Sequence, residues 1–271
     1  MTPQVGTTSP TDSIRSTVVA LSAVVAVLCS FLGSGAVAGT PISEAAGGAL
    51  SADATAVAPG GAAFSIWTLI YLGLIALAVW QALPQQRANP RQRQARWWIA
   101  ASMLLYAAWI LAVQFDLVWL SVVVITALLG VLARVFVLLT ATRPESRLEA
   151  VVVDGTMFVY LGWVAVATVA NIAAALQADR LDPLDLGANA WGVIVLALVA
   201  VVSVFLAVVG RGRLAVTAAI VWGLMWIALA RIDSDGWQST PAAVAATVAA
   251  VVAAGSAVVV RITTSRAESR F

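Results

Sequence analysis

The sequence predicts an all-α fold, a polytopic membrane helix bundle of about eight transmembrane helices, and three observations carry that prediction. Of the 271 residues, 62% are hydrophobic and only 10% are charged. A soluble domain carries roughly 45–50% apolar and about 25% charged residues, so this chain could not cover a water-facing surface. The second observation is a series of apolar runs, each near the roughly 20 residues that a helix needs to cross a bilayer. The third is the way arginine alternates between the connections.

The runs are Thr17–Ala38, Ala62–Leu83, Trp97–Phe115, Leu117–Thr140, Ala150–Leu176, Ala190–Val209, Leu214–Ala230 and Ala242–Val260. Strands of a membrane barrel would alternate apolar and polar residues; these runs are continuous, and so are helices. Residues 1–13 are polar and expected to form a disordered tail, and residues 263–271 form a second tail. The connection 39–61 is rich in Ala, Gly and Ser and is expected to be mobile. Only Gln114-Phe115-Asp116 joins the third and fourth helices, which requires a tight antiparallel hairpin. The first run has a competing reading, since Arg15, the apolar stretch and Ala36-Val37-Ala38 resemble a signal peptide with its cleavage site. Its length of about 20 residues matches a span better than a signal core, and a retained helix is the expectation.

All fifteen basic residues are arginine. Arg15 precedes the first helix. Arg87, Arg91, Arg93 and Arg96 follow the second, Arg143 and Arg147 the fourth, Arg211 and Arg213 the sixth, and Arg261, Arg266 and Arg270 the eighth. The alternate connections are acidic or poor in arginine, with Glu44, Asp53, Asp116, Asp179, Asp182, Asp185, Asp233 and Asp235; only Arg180 and Arg231 stray there. Short cytoplasmic loops hold the excess of basic residues. The expected topology therefore places both termini in the cytoplasm and the chain in the cell (inner) membrane.

Several chemistries are excluded. Cys29 is the single cysteine and histidine is absent, so no disulfide can close within the chain. Zinc sites built on Cys and His, His-dependent triads and His-ligated haem fall with them. A net charge of +2 without a clustered basic face is no nucleic-acid footprint. No required cofactor and no metal is expected.

The aromatic residues are the unusual signal. Trp97, Trp98, Trp191, Trp237 and Trp80 fit interfacial belts. Phe64, Trp67 and Tyr71 recur at i, i+3, i+7 on one face of the second helix, and Tyr106 shares a face of the third with Trp109. Tyr160, Trp163, Ala167 and Asn171 form a stripe along the fifth at i, i+3, i+7, i+11. Two readings stand side by side. Rings, a small residue and an amide suit a flat apolar ligand, and small and polar residues also glue helices together. Asp154 and Arg134 are the charges within apolar runs; both lie near the same side, where they could snorkel or pair with each other.

Pro59 to Tyr71, PGGAAFSIWTLIY, followed by an apolar run ending in Gln81-Ala82-Leu83-Pro84, resembles the signature of the TspO/MBR family, the tryptophan-rich sensory proteins and translocator proteins. YLGWVAVATVAN resembles that family's Tyr-x-x-Trp-x-x-x-Ala-x-x-x-Asn element at Tyr160, Trp163, Ala167 and Asn171, and Trp109 and Trp119 sit near its two hairpin tryptophans. The resemblance covers roughly residues 14–176, a five-helix core, with residues 177–262 as three additional helices like those of longer bacterial variants. It implies a cavity among the five helices, open to a tetrapyrrole-like or other hydrophobic small molecule. Trp67 and Trp163 would face that ligand, with Phe64, Tyr71, Trp109, Trp119, Tyr160, Ala167 and Asn171 around them. Their rings are expected within about 10–12 Å, sandwiching a flat ligand at roughly 3.5–4 Å from each face.

The expected function is then an integral membrane sensor or carrier and not an enzyme, since no acid, base or nucleophile cluster exists; tetrapyrrole degradation would rest on family analogy alone. A transporter or permease component for a small apolar or amphipathic solute is the alternative. The expected partners are the lipid bilayer and the hydrophobic small molecule, with no nucleic acid; a homodimer is left open.

Overall fold

The computed structural model describes residues 10–33, 39–233 and 236–268. Among these, eight helices are long and apolar enough to cross a membrane, and no strand occurs. In chain order they are α1 (Pro10–Gly33), α2 (Ile66–Ala82), α3 (Pro90–Gln114), α4 (Val118–Thr140), α5 (Thr156–Ala178), α6 (Gly187–Val209), α7 (Leu214–Ile232) and α8 (Thr240–Glu268). The chain is a polytopic helical membrane protein.

Some helices extend past the apolar runs, because hydropathy marks only the part that faces hydrocarbon. α3 starts at Pro90 instead of Trp97: Asn89 caps it, its side chain accepting from the N–H groups of Arg91 (2.9 Å) and Gln92 (3.3 Å), and Pro90 occupies the first turn, where no N–H is needed. Residues 10–13 belong to α1 and residues 263–268 to α8, so both polar tails are shorter than expected. The proposed cleavage triplet Ala36-Val37-Ala38, Asp235 and Arg270 lie outside the described residues.

The hairpin between α3 and α4 is tight. Asp116 takes a left-handed φ of 58°, and the Leu117 N–H reaches back to the Ala112 carbonyl at 2.9 Å. α1 packs on α2 and α3, α4 on α3 and α5, and α2 closes on α5. This five-helix core meets the rest of the chain through α7, which lies along α5; α8 bridges α7 and α6 on the far side. Two close approaches need glycine. A Cβ on Gly73 of α2 would stand 2.5 Å from the Thr156 hydroxyl of α5, and one on Gly162 of α5 would stand 2.3 Å from the Val216 carbonyl of α7. Van der Waals contact at small residues is what joins helices in lipid, where apolar surface gains nothing by leaving one apolar medium for another.

The two ends of the bundle differ in chemistry. At the arginine-rich end a π-helical turn, Ala150–Gly155, precedes α5. From this region the buried Glu149 and Asp154 both meet Arg91 of α3, at 3.0 and 2.7 Å. Arg213, at the start of α7, lies 3.5 Å from Asp154. Gln92 donates to Glu149 and Gln81 donates to Gln92, each at 2.7 Å. Asp12 of α1 takes Arg93 in a two-point contact at 2.8 and 2.5 Å. Asp154 is therefore engaged by Arg91 and Arg213 and not by Arg134, which sits exposed on α4.

At the opposite end the connection expected to be mobile is folded against the bundle. Thr55, Ala56, Val57 and Ala58 are buried. Gln114 grips Thr40 from both sides, accepting from its N–H (2.9 Å) and donating to its carbonyl (2.6 Å). Arg231 of α7, 1% exposed, donates to the carbonyls of Thr55 and Ala52 at 2.5 Å each. Trp222 donates to the Ala63 carbonyl at 2.9 Å, and the Gly60 N–H donates to the Trp226 carbonyl at 3.2 Å.

If α7 docks through Gly162, Gly162→Ala should lower stability by about 1–3 kcal/mol, the usual effect of overpacking. Gly130→Ala, whose Cβ would meet nothing within 4 Å, should leave it unchanged or raised. Denaturant unfolding in detergent micelles checks this; equal midpoints for the two variants would contradict the docking.

Candidate ligand site

The second-helix and fifth-helix stripes converge. Trp67 is the hub: its ring centroid lies 5.6 Å from Tyr71, 4.7 Å from Tyr106, 6.0 Å from Tyr160 and 6.3 Å from Trp163. Phe64 meets Trp163 edge to face at 5.6 Å, and Tyr106 stacks on Trp109 at 6.2 Å. Such pairs are each worth about 0.5–1.5 kcal/mol beyond the area they bury. The result is one aromatic cluster spanning α2, α3 and α5.

Above it lies a cavity. Its walls include Phe64, Trp67, Tyr106, Trp109, Trp163, Ala167 and Asn171, and its roof is formed by Ile42, Leu50, Thr55, Ala58 and Pro59 of the connection between α1 and α2. The cavity is small, about 40 Å³, against the roughly 300–1,000 Å³ of ligand pockets. Trp67 and Trp163 stand nearly perpendicular, at 86°, and touch. The expected parallel sandwich is absent, because each ring fills the space a flat ligand would take.

Three other expected residues stand apart from the lining. Tyr71 and Tyr106 share a hydrogen bond between their hydroxyls. Tyr160 is fully buried and donates to the Ser102 carbonyl at 3.3 Å; both tyrosines support the cluster from below the cavity. Trp119 is 45% exposed, with its indole N–H on Asp179 at 2.7 Å. The family-like spacing placed it correctly next to the hairpin, but its helix turns it outward.

Asn171 is buried and bonded through both of its polar atoms. Its Oδ1 accepts from the Trp109 indole at 2.6 Å, and its Nδ2 donates to the Ser121 hydroxyl at 2.9 Å, which itself donates to the Val118 carbonyl at 2.6 Å. It ties α5 to α3 and α4, the helix-gluing role, while one edge of the side chain lines the cavity. Trp163 is the opposite case. It is 1% exposed, and its indole N–H has no acceptor among the described residues. A buried donor without a partner is costly, about 1–3 kcal/mol, and uncommon.

Sequence reasoning passed over Tyr106 as a site residue, although the shared face with Trp109 was visible. It also missed Ser121, Thr55 and the roof residues. A lone serine or an Ala/Gly-rich connection carries no periodic signal.

Fold and site together define a polytopic helical membrane protein with an aromatic cavity roofed by a folded connection. The chain belongs to the TSPO-like protein family, whose model matches residues 18–260. The match runs past residue 176 and takes in the last three helices as well as the core. No curated protein and no solved structure matches the chain.

The Asn171 linkage is testable by unfolding. Asn171→Ala leaves the Trp109 indole without its acceptor and should cost about 0.6 kcal/mol, the average for hydrogen bonds between membrane helices, and at most about 1.7. Thermal unfolding in micelles measures it, and an unchanged transition would show that the amide contributes nothing to packing.

Proposed function

We propose that this protein is a membrane sensor or carrier that binds a planar hydrophobic small molecule, tetrapyrrole-like in class, at the aromatic cluster beneath residues 42–59, and that it catalyses no reaction there. The observation that carries the reading is the unpartnered indole N–H of Trp163, a residue of the wall of a mostly apolar cavity whose lining also includes the unpartnered Thr55 hydroxyl. An acceptor atom on a bound ligand would satisfy that donor, while the rings of Trp67, Tyr106 and Trp109 offer apolar faces to a flat molecule.

At about 40 Å³ the cavity is too small to hold such a ligand without rearrangement. Binding requires Trp67 and Trp163 to part and the roof to lift, so affinity would carry the cost of populating an open form. Arg231 donates to the Thr55 carbonyl of the roof, and in the residues just after it the Ala63 carbonyl accepts from Trp222 and the Gly60 N–H donates to the Trp226 carbonyl. These bonds would give α7 control over that opening. A sensor needs such coupling, because a ligand shifts an equilibrium only by its differential affinity for the two states.

Absorbance titration with a porphyrin tests the site. Trp163→Ala should weaken binding by about 1–3 kcal/mol, the scale of aromatic stacking on a planar ring system. Trp237→Ala and Trp119→Ala, outside the cavity, should leave it unchanged. Equal losses at Trp163 and Trp237 would contradict the site.

The chain is further proposed to lie in the inner membrane with both termini in the cytoplasm. Support comes from the clustering of Arg91, Arg93 and Arg213 at one end of the bundle and the acidic connections at the other. Reporter fusions after Gln94 and Pro144 should report cytoplasm, and fusions within 45–55 and 180–186 the outside. A cytoplasmic signal from 180–186 would overturn the topology.

A further inference from the structure

A cavity larger than the aromatic one lies elsewhere among the described residues. Between the second half of α5 and the first half of α6 is a groove of about 480 Å³, well inside the range of ligand sites. α6 leans on α8 and makes no extended contact with α5, so the two walls face each other across open space. Val169, Ile172 and Ala173 form one wall and Val195 and Leu198 the other; Ile172 and Leu198 are 36% and 58% exposed, toward the surface that meets lipid. Thr55, Ala56 and Val57 close the top, and Trp191 and Trp237 flank the mouth.

The groove is apolar at depth and charged at one end. Its mouth carries Gln177, Arg180 and Asp182. Arg180 is exposed and makes no ion pair among the described residues. Asp182 accepts the Gly187 N–H at 2.9 Å through one oxygen, which leaves the second to accept another donor. Asp179, its neighbour, is engaged by Trp119. The lining thus includes one cation, Arg180, and one anion, Asp182. The stretch Val169–Ala178 rises about 14 Å at 1.5 Å per residue, close to the roughly 15 Å half-thickness of a bilayer core. Tryptophans at this level match the headgroup region.

We propose that the groove between α5 and α6 is a binding site for a single zwitterionic aminophospholipid, with one acyl chain between the helices, its phosphate on Arg180 and its ammonium on Asp182. An acyl chain supplies the apolar fill the walls need, and the arginine fork suits phosphate. The primary ammonium is the donor that a half-used carboxylate can take. The site is separate from the aromatic cavity; the two share Thr55.

Native mass spectrometry of the full-length protein, released from micelles after equilibration with phosphatidylethanolamine or phosphatidylglycerol, tests the proposal. The wild type should retain one phosphatidylethanolamine in preference to phosphatidylglycerol. Arg180→Glu, at an exposed position, should lower that retention about tenfold, the loss of one charge-assisted contact. Val195→Trp should abolish it by filling the groove, and Ala173→Phe provides a second plug should the first destabilise the fold. Preferential retention of phosphatidylglycerol would overturn the headgroup assignment. Retention unchanged in Arg180→Glu and in both plugged variants would overturn the site. Porphyrin titration of the same variants should be unaffected, so failure here is distinguishable from failure of the aromatic site.

Discussion

A polar group inside a bilayer must find its partner within the protein, and this constraint organises the whole bundle. Apolar helix faces give no preference for one neighbour over another in lipid; directional bonds between buried polar groups do. The molecule has such nodes at three depths. Arg91 with Glu149 and Asp154 fixes α3 against the start of α5 at the arginine-rich end. Asn171 with Trp109 and Ser121 fixes α5 against α3 and α4 further along. Arg231 with the carbonyls of Thr55 and Ala52 fixes the folded connection to α7 at the other end. Between the nodes, glycines at 73 and 162 let backbones approach where a side chain would collide.

The last three helices acquire a role from the third node. α7 docks on α5 through Gly162 and reaches over to hold residues 52–63 above the aromatic cluster. The roof of the cavity is therefore built by one part of the chain and held by another. Leaving a buried charged donor without its acceptors costs more than the roughly 1–3 kcal/mol of a neutral one, so Arg231 of α7 adds to the hold that Gln114 of α3 has on the same connection. That the family match covers residues 18–260 agrees with a unit that includes these helices.

The sequence made the eight spans legible, because bilayer thickness sets helix length and composition reports it. It also made the α3–α4 hairpin legible, since Gln114-Phe115-Asp116 leaves no length for anything else. The stripes Phe64–Trp67–Tyr71 and Tyr160–Trp163–Asn171 revealed which faces turn inward. What they could not reveal was how the rings meet: helical spacing fixes a face, whereas the perpendicular contact of Trp67 with Trp163 depends on the crossing of two helices. Trp80, assigned to an interfacial belt, is buried at 6% exposure for the same reason. Trp119 was drawn into the site by its position near the hairpin, and only the direction of its side chain removes it. The pairing of Arg231 with Thr55 joins residues 176 positions apart, and an alanine-rich connection carries no mark of the groups that will hold it.

The small cavity and the unpartnered Trp163 indole N–H are the two observations behind the proposed ligand-bearing form, in which the rings would part beneath a lifted roof. A cryo-electron microscopy structure of the protein with a porphyrin bound tests that account most directly. The account predicts ligand density against Trp163 under residues 49–59, with the Trp67 and Trp163 centroids separated beyond their present 6.3 Å. Porphyrin density confined to the groove between α5 and α6 or to the lipid-facing surface, with the two rings unmoved, would contradict it.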